Sequence, residues 1–424
     1  MNTGGQSATE LLIRAEVGST ASVSLVSGTN LTPMSVVIDC ARQHLPKDFE
    51  VWWVDDGPPS MFALSSPRMR AVVFSTRALE IAAQTRQLYE ESLSSSARRA
   101  SYRLTLLHLS ELMLQQRCAS LATAAFLESI RGQTLFLPFG TDWRLLEHEP
   151  INEAYMALWF FSLGHEMGHM SVESSPTLTS SMREVLDKQI RVLATEQIEA
   201  GLNLPESVKE RLRKGLDDPS TELPLYAPSL MEECAADIFS CQILLESTFR
   251  VFKRMEKKVS VWHLAYELLA ANSVRSHFDS IRGMAKILAS TKHWEDSVDH
   301  YFGYSLAAST RTHYLANYLG LAVSQMVEIS SVPKLVDDLT RSVNESACKV
   351  SAGAVDAFSR LASIEPQTVP HRLPTWFHEQ FSGSSIGIGV AARRFCQLAS
   401  SFSVDSSQIQ ELRQLVERGR ADAV

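Results

Sequence analysis

The sequence predicts a predominantly helical α+β fold with a small mixed sheet near the N-terminus. Short runs of β-branched and aromatic residues are confined to the first part of the chain. From about residue 78 onward, apolar residues recur with helical spacing. Proline and serine clusters then cut the later chain into long helical segments rather than strands.

Residues 34–39, 49–54 and 70–75 read as strands, with Asp56-Gly57-Pro58-Pro59 as a turn between the second and third. Residues 101–114 carry a clear helical period. Residues 133–139 read as a short strand whose Pro138 suits only an edge, where an extended peptide can pair with open backbone groups. Residues 155–164 are apolar almost all round, as in a helix buried on most sides. Residues 230–239 read as a further helix, and the chain from about residue 259 as an extended helical portion with breaks near 330–333 and 365–370. This divides the chain into an N-terminal α+β region at 1–145, a helical core at 146–290 and a helical scaffold or recognition region at 291–424.

The chemistry concentrates in His165-Glu166-Met167-Gly168-His169, which continues the apolar helix. Histidines four apart project from one face one turn above another and can share one ion. Ionisable groups carried on from such a buried helix require pairing, and zinc would supply it. Glu166 falls one position round the helix, beside the open side of such an ion, where a carboxylate can take a proton from water of lowered pKa and return it to a leaving amine. Catalytic zinc usually keeps three protein ligands. A third histidine in the same stretch is excluded, because Val172 and Ser175 occupy the positions that would need Gly and His. The preferred third ligand is Glu233 in the second helix, with Asp237 one turn later to accept a histidine ring N–H; the adjacent Glu232 is its rival. Gly168, Ala235 and Ala236 are small enough to let the two helices approach.

These residues resemble the gluzincin metallopeptidases, in which a Glu from a second helix completes the zinc site and an Asp one turn on supports a histidine. Around Glu233, Ala236, Asp237 and Ser240 the pattern is most similar to the CaaX-type and heat-shock-type membrane zinc peptidases and their soluble relatives, and to the soluble phage-exclusion peptidases. The resemblance covers 159–170 and 231–240, and more loosely the strand-to-helix stretch 72–79. It implies a zincin-like core, Zn2+ as cofactor, and a cationic or hydroxyl group that stabilises the oxyanion. Ser276 to Arg282 resembles the segment that supplies such a group, with Phe278 in place of a proline, so the resemblance implies His277 and Arg282; Tyr226 and Tyr266 are further candidates.

Composition describes the molecule around this motif. The chain has 424 residues, 45% hydrophobic and 21% charged, as in an ordinary globular protein. A net charge of −8 offers no general attraction for nucleic acid or acidic membranes. No stretch reaches the roughly 18–20 apolar residues of a membrane span, and the N-terminus lacks a signal-peptide pattern. Six sparse cysteines without a close C-x-x-C pair suit reduced thiols. Cys234 and Cys241 fit buried apolar positions better than metal ligands. The expectation is a cytoplasmic zinc-dependent endopeptidase acting on a selected protein or peptide substrate. The competing expectation is a non-catalytic helical module built on a zincin-like site, which would have no use for Glu166.

Overall fold

The computed structural model describes residues 7–18, 21–26, 38–43, 49–55, 57–66, 69–90, 96–130, 153–174, 180–200, 206–218, 226–254, 261–290, 294–326, 332–364 and 388–402. The chain opens with α1 (Ala8–Val17) and β1 (Ser22–Leu25), then β2 (Glu50–Asp55), β3 (Met61–Ser66) and β4 (Met69–Ser75). Helices follow: α2 (Thr76–Glu90), α3 (Ser96–Gln115), α4 (Ala119–Ile130), α5 (Glu153–Ser174), α6 (Ser180–Ala200) and α7 (Glu206–Asp217). The series ends with α8 (Ala227–Arg254), α9 (Val261–Ser290), α10 (Trp294–Met326), α11 (Val332–Ala362) and α12 (Ile388–Ser401). The fold is therefore mostly helical with one small mixed sheet.

The sheet has the order β1-β2-β4-β3. β2 and β4 run parallel, Val51 opposite Val72, while β1 and β3 pair antiparallel at either side. Residue alternation sends Val51, Trp53, Met61, Val72 and Phe74 into the main core, and Trp52, Val54, Ala71 and Val73 toward Ile13 and Val17 of α1. Both faces are thus covered. β2 and β4 match the expected strands, whereas β1 and β3 lack the β-branched density that would have announced them. The expected strand at 34–39 is corrected at its end, because Ile38 and Asp39 begin a helical segment at 38–43; its residues 34–37 lie outside the described residues. The expected edge strand at 133–139 also lies outside them.

β4 passes straight into α2 because Ser75 caps the helix, its hydroxyl accepting from Ala78 N at 3.1 Å and from Ser60 N at 2.8 Å. Arg77 is buried on the first turn of α2 and bonds Glu111 of α3 at 3.0 Å. Arg86 grips Glu267 of α9 at 2.9 Å. These buried ion pairs fix how α2 sits between the sheet and the helices. The main apolar cluster draws residues from β2, β4, α2, α5, α8, α9, α10 and α11. No helix among the described residues is long and apolar enough to cross a membrane.

One core residue makes stability depend on pH. His108 of α3 is fully buried, packs on Phe278 with ring centroids 4.8 Å apart, and has no partner for either ring nitrogen. Burial holds its pKa well below the ordinary histidine value, with the charge of Arg77 acting in the same direction. In the unfolded chain the imidazole gains a proton below about pH 6.5, so the unfolded state binds more protons there. The contribution of the neutral imidazole is complete above that pH and is lost as pH falls. Urea unfolding should show stability declining from about pH 6.5 to pH 5, with a shallower decline in His108→Leu than in the parent.

Candidate metal centre

The site begins with a close approach of two helices. A Cβ added at Gly168 of α5 would lie 2.6 Å from the Ala236 Cα of α8, and one at Gly164 would lie 2.8 Å from Ser240 Oγ. Only glycine lets the two backbones meet at these levels. Ser240 donates to the Phe161 carbonyl at 2.6 Å and ties the same contact. On the apolar side, Leu158, Phe161, Leu163 and Met167 anchor α5 in the core.

This approach brings His165, His169 and Glu233 together, each offering one donor atom, with all three within 4.8 Å of one another. His165 Nε2 is 3.1 Å from His169 Nε2 and 3.3 Å from Glu233 Oε2, and His169 Nε2 is 3.5 Å from Glu233 Oε1. Ligands bonded at about 2.0–2.1 Å in a tetrahedron stand about 3.3 Å apart, so the donor set fits zinc. Of the adjacent glutamates, Glu233 is the one that lies with the two histidines, whereas Glu232 is exposed.

Asp237 lies one turn beyond Glu233, and its Oδ1 is 2.8 Å from His165 Nδ1. An N–H donated there leaves the Nε2 lone pair toward Glu233 and His169. Arg311 of α10 grips both Asp237 oxygens at 2.8 Å and reaches Glu233 Oε2 at 3.0 Å. Burial would raise the Asp237 and Glu233 pKa values, but the Arg311 charge and the bonds to His165 hold both below the usual carboxylate range, Glu233 far below it. Burial would lower the His165 pKa, yet bonds to Asp237 and Glu233 raise it to about 9. Positive charge is therefore favoured where the donors converge.

Glu166 is buried beside this cluster and pairs with Arg275 of α9. Burial opposes its ionisation, but the charge of Arg275, followed by those of His165 and His169, keeps its pKa below the ordinary value. Asp279 links the two arginines, 3.1 Å from Arg275 and 3.6 Å from Arg311. Glu166, His169, Glu233, Arg275, Arg282 and Arg311 all line one cleft of about 320 Å3. Arg282 donates to the Met61 carbonyl at 3.0 Å, joining α9 to the end of β3 at the cleft wall.

His277 sits on the same helix as Arg282 but lines a different cavity, with Tyr89 and Tyr301. The structure therefore brings Arg282 to the cleft and not His277. Neither Tyr226 nor Tyr266 lines the cleft; Tyr266 instead lies 5.7 Å from the guanidinium of Arg86. Cys234 and Cys241 are buried, with thiol pKa values pushed well up by burial, and neither belongs to the donor cluster.

Arg275, Arg311 and Tyr304 are among the cleft residues that motif reasoning passed over. Arg275 interrupts an apolar helix and shares a face with Asp279 and Arg282, a detectable signal. Arg311 lies far along the chain in a helix without a motif, and only the packing of α10 brings it in. Tyr304 depends on Gly283, where an added Cβ would lie 2.0 Å from the phenol oxygen.

No protein family, characterised protein or solved structure matches this chain in sequence or fold.

Metal analysis of the purified protein after zinc loading should give one zinc per chain in the parent and little in Glu233→Ala. Asp237→Ala should weaken zinc affinity by about 10–100-fold, since it frees the ring that Asp237 orients. Equal zinc affinity in all three proteins would contradict the donor assignment.

Proposed function

We propose that the protein is a zinc-dependent endopeptidase of gluzincin type, hydrolysing peptide bonds in a selected protein substrate. The observation that carries this reading is a buried Glu166, paired with Arg275, beside three donors with tetrahedral spacing, with Glu166, His169 and Glu233 lining one cleft. Zinc held by His165, His169 and Glu233 would supply a Lewis acid and lower the pKa of water in the cleft to about 7.

The protein's own residues account for the rest. Glu166 takes the proton from the attacking water and delivers it to the leaving amine. Arg275 keeps that carboxylate ionised and fixed in direction. Asp237 holds the His165 tautomer, and Arg311 holds Asp237 and Glu233 together. Arg282 lines the cleft, where its charge meets negative charge developing on a substrate oxygen. Six free cysteines fit a reducing compartment such as the cytoplasm.

A non-catalytic module would gain nothing from desolvating Glu166 beside the donors, because a structural zinc normally closes its fourth position with another ligand. Replacing Glu166 by Gln separates the two. Cleavage of a peptide library by the zinc-loaded parent should fall on the order of 10²–10⁴-fold in Glu166→Gln while zinc stays bound. A zinc-loaded parent that cleaves no peptide, or a variant that cleaves as well as the parent, would refute the reading.

A further inference from the structure

Helices α9, α10 and α11, with Tyr89 of α2, line a second chamber of about 450 Å3 that opens to solvent at Ser305 and Cys348. Ser280 of α9 and Ala308 of α10 line both this chamber and the metal-centre cleft, so two small side chains stand at their junction. The chamber wall is apolar over most of its area, with polar side chains set into it, and it carries no carboxylate, lysine or arginine among the described residues. Some of its groups are already satisfied: Tyr89 Oη lies 2.9 Å from Ser273 Oγ, and Tyr301 donates to the Ser351 carbonyl at 3.2 Å. His277 and Asn344 line the chamber without a hydrogen-bond partner among the described residues. Burial lowers the His277 pKa to about 4, so its imidazole is neutral and offers one donor and one acceptor.

This chemistry discriminates between occupants. A charged side chain would find no counter-ion on this wall. An apolar side chain would cover His277 and Asn344 and leave their polar atoms unpaired. A carboxamide has both donor and acceptor and answers each of them.

We propose that this chamber is the selectivity pocket of the cleft, taking a carboxamide side chain, Gln or Asn, of the substrate next to the bond that Glu166 serves. This rests on the peptidase reading above. His277 thereby acquires a role in substrate recognition instead of oxyanion stabilisation.

The test uses the zinc-loaded full chain and a mixed peptide library, with cleavage products identified by mass spectrometry and Glu166→Gln as the background. Cleavage should be enriched beside Gln or Asn. The ratio of kcat/KM for Gln over Leu peptides should fall on the order of tenfold in Ala308→Phe, which obstructs the junction, and in Asn344→Leu, which removes one recognition group. Glu166-dependent cleavage without a carboxamide preference, or with a preference that neither variant moves, overturns the chamber and leaves the peptidase standing. Absence of Glu166-dependent cleavage refutes the peptidase, and occupancy of the chamber is then read directly. Cys348 lines it and is exposed, so N-ethylmaleimide labelling at Cys348 reports access. Slower labelling with a blocked Gln-Asn peptide, and not with a Leu-Phe peptide, supports the carboxamide site; equal protection or none overturns it.

Discussion

Everything at the candidate metal centre depends on how closely α5 and α8 approach. Gly164 and Gly168 stand one turn apart on α5 and meet Ser240 and Ala236 of α8. Even a methyl group there would require the helices to part by roughly 1 Å to reach ordinary contact, a large fraction of the donor spacings, which are 3.1, 3.3 and 3.5 Å. The imidazoles and the carboxylate could then no longer share one ion. The apolar face of α5 pays nothing for this arrangement, because Leu158, Phe161 and Met167 point into the main core on the other side. Local glycine placement and global packing thus act on the same helix for different ends.

Electrostatics then decides what the cluster can hold. Glu166, Glu233, Asp237 and Asp279 are set against Arg275, Arg282 and Arg311, which leaves negative charge in excess when the histidines are neutral. Each buried carboxylate near the donors is stabilised by a guanidinium from another helix, so ionisation survives burial. That excess attracts a cation to the donors. The long helices α9 and α10 are therefore part of the site and not only its surroundings. They contribute the arginines and the walls of both cavities.

The legible part of this site lay where chemistry is local in sequence. Two histidines and a glutamate within one helical turn, and a Glu and Asp one turn apart on a second helix, state their geometry through the helical period alone. Gly168 and Ala236 likewise announced a close helix contact. The strands β2 and β4 were legible from dense valine, tryptophan and phenylalanine, whereas β1 and β3 carry few β-branched residues and gain their strand character from pairing. Arg311 was not legible, because its role exists only once α10 packs against α8. His277 was misleading for a related reason. A segment resemblance aligned it with Arg282, but five positions round a helix separate the faces on which the two residues stand.

X-ray absorption at the zinc edge of the loaded protein tests the central claim most directly. The account predicts a shell of nitrogen and oxygen neighbours at about 2.0–2.1 Å with imidazole scattering, and loss of that ordered shell in Glu233→Ala. A sulfur shell at about 2.3 Å, or a spectrum without imidazole features, would contradict the assignment of His165, His169 and Glu233 as the metal centre.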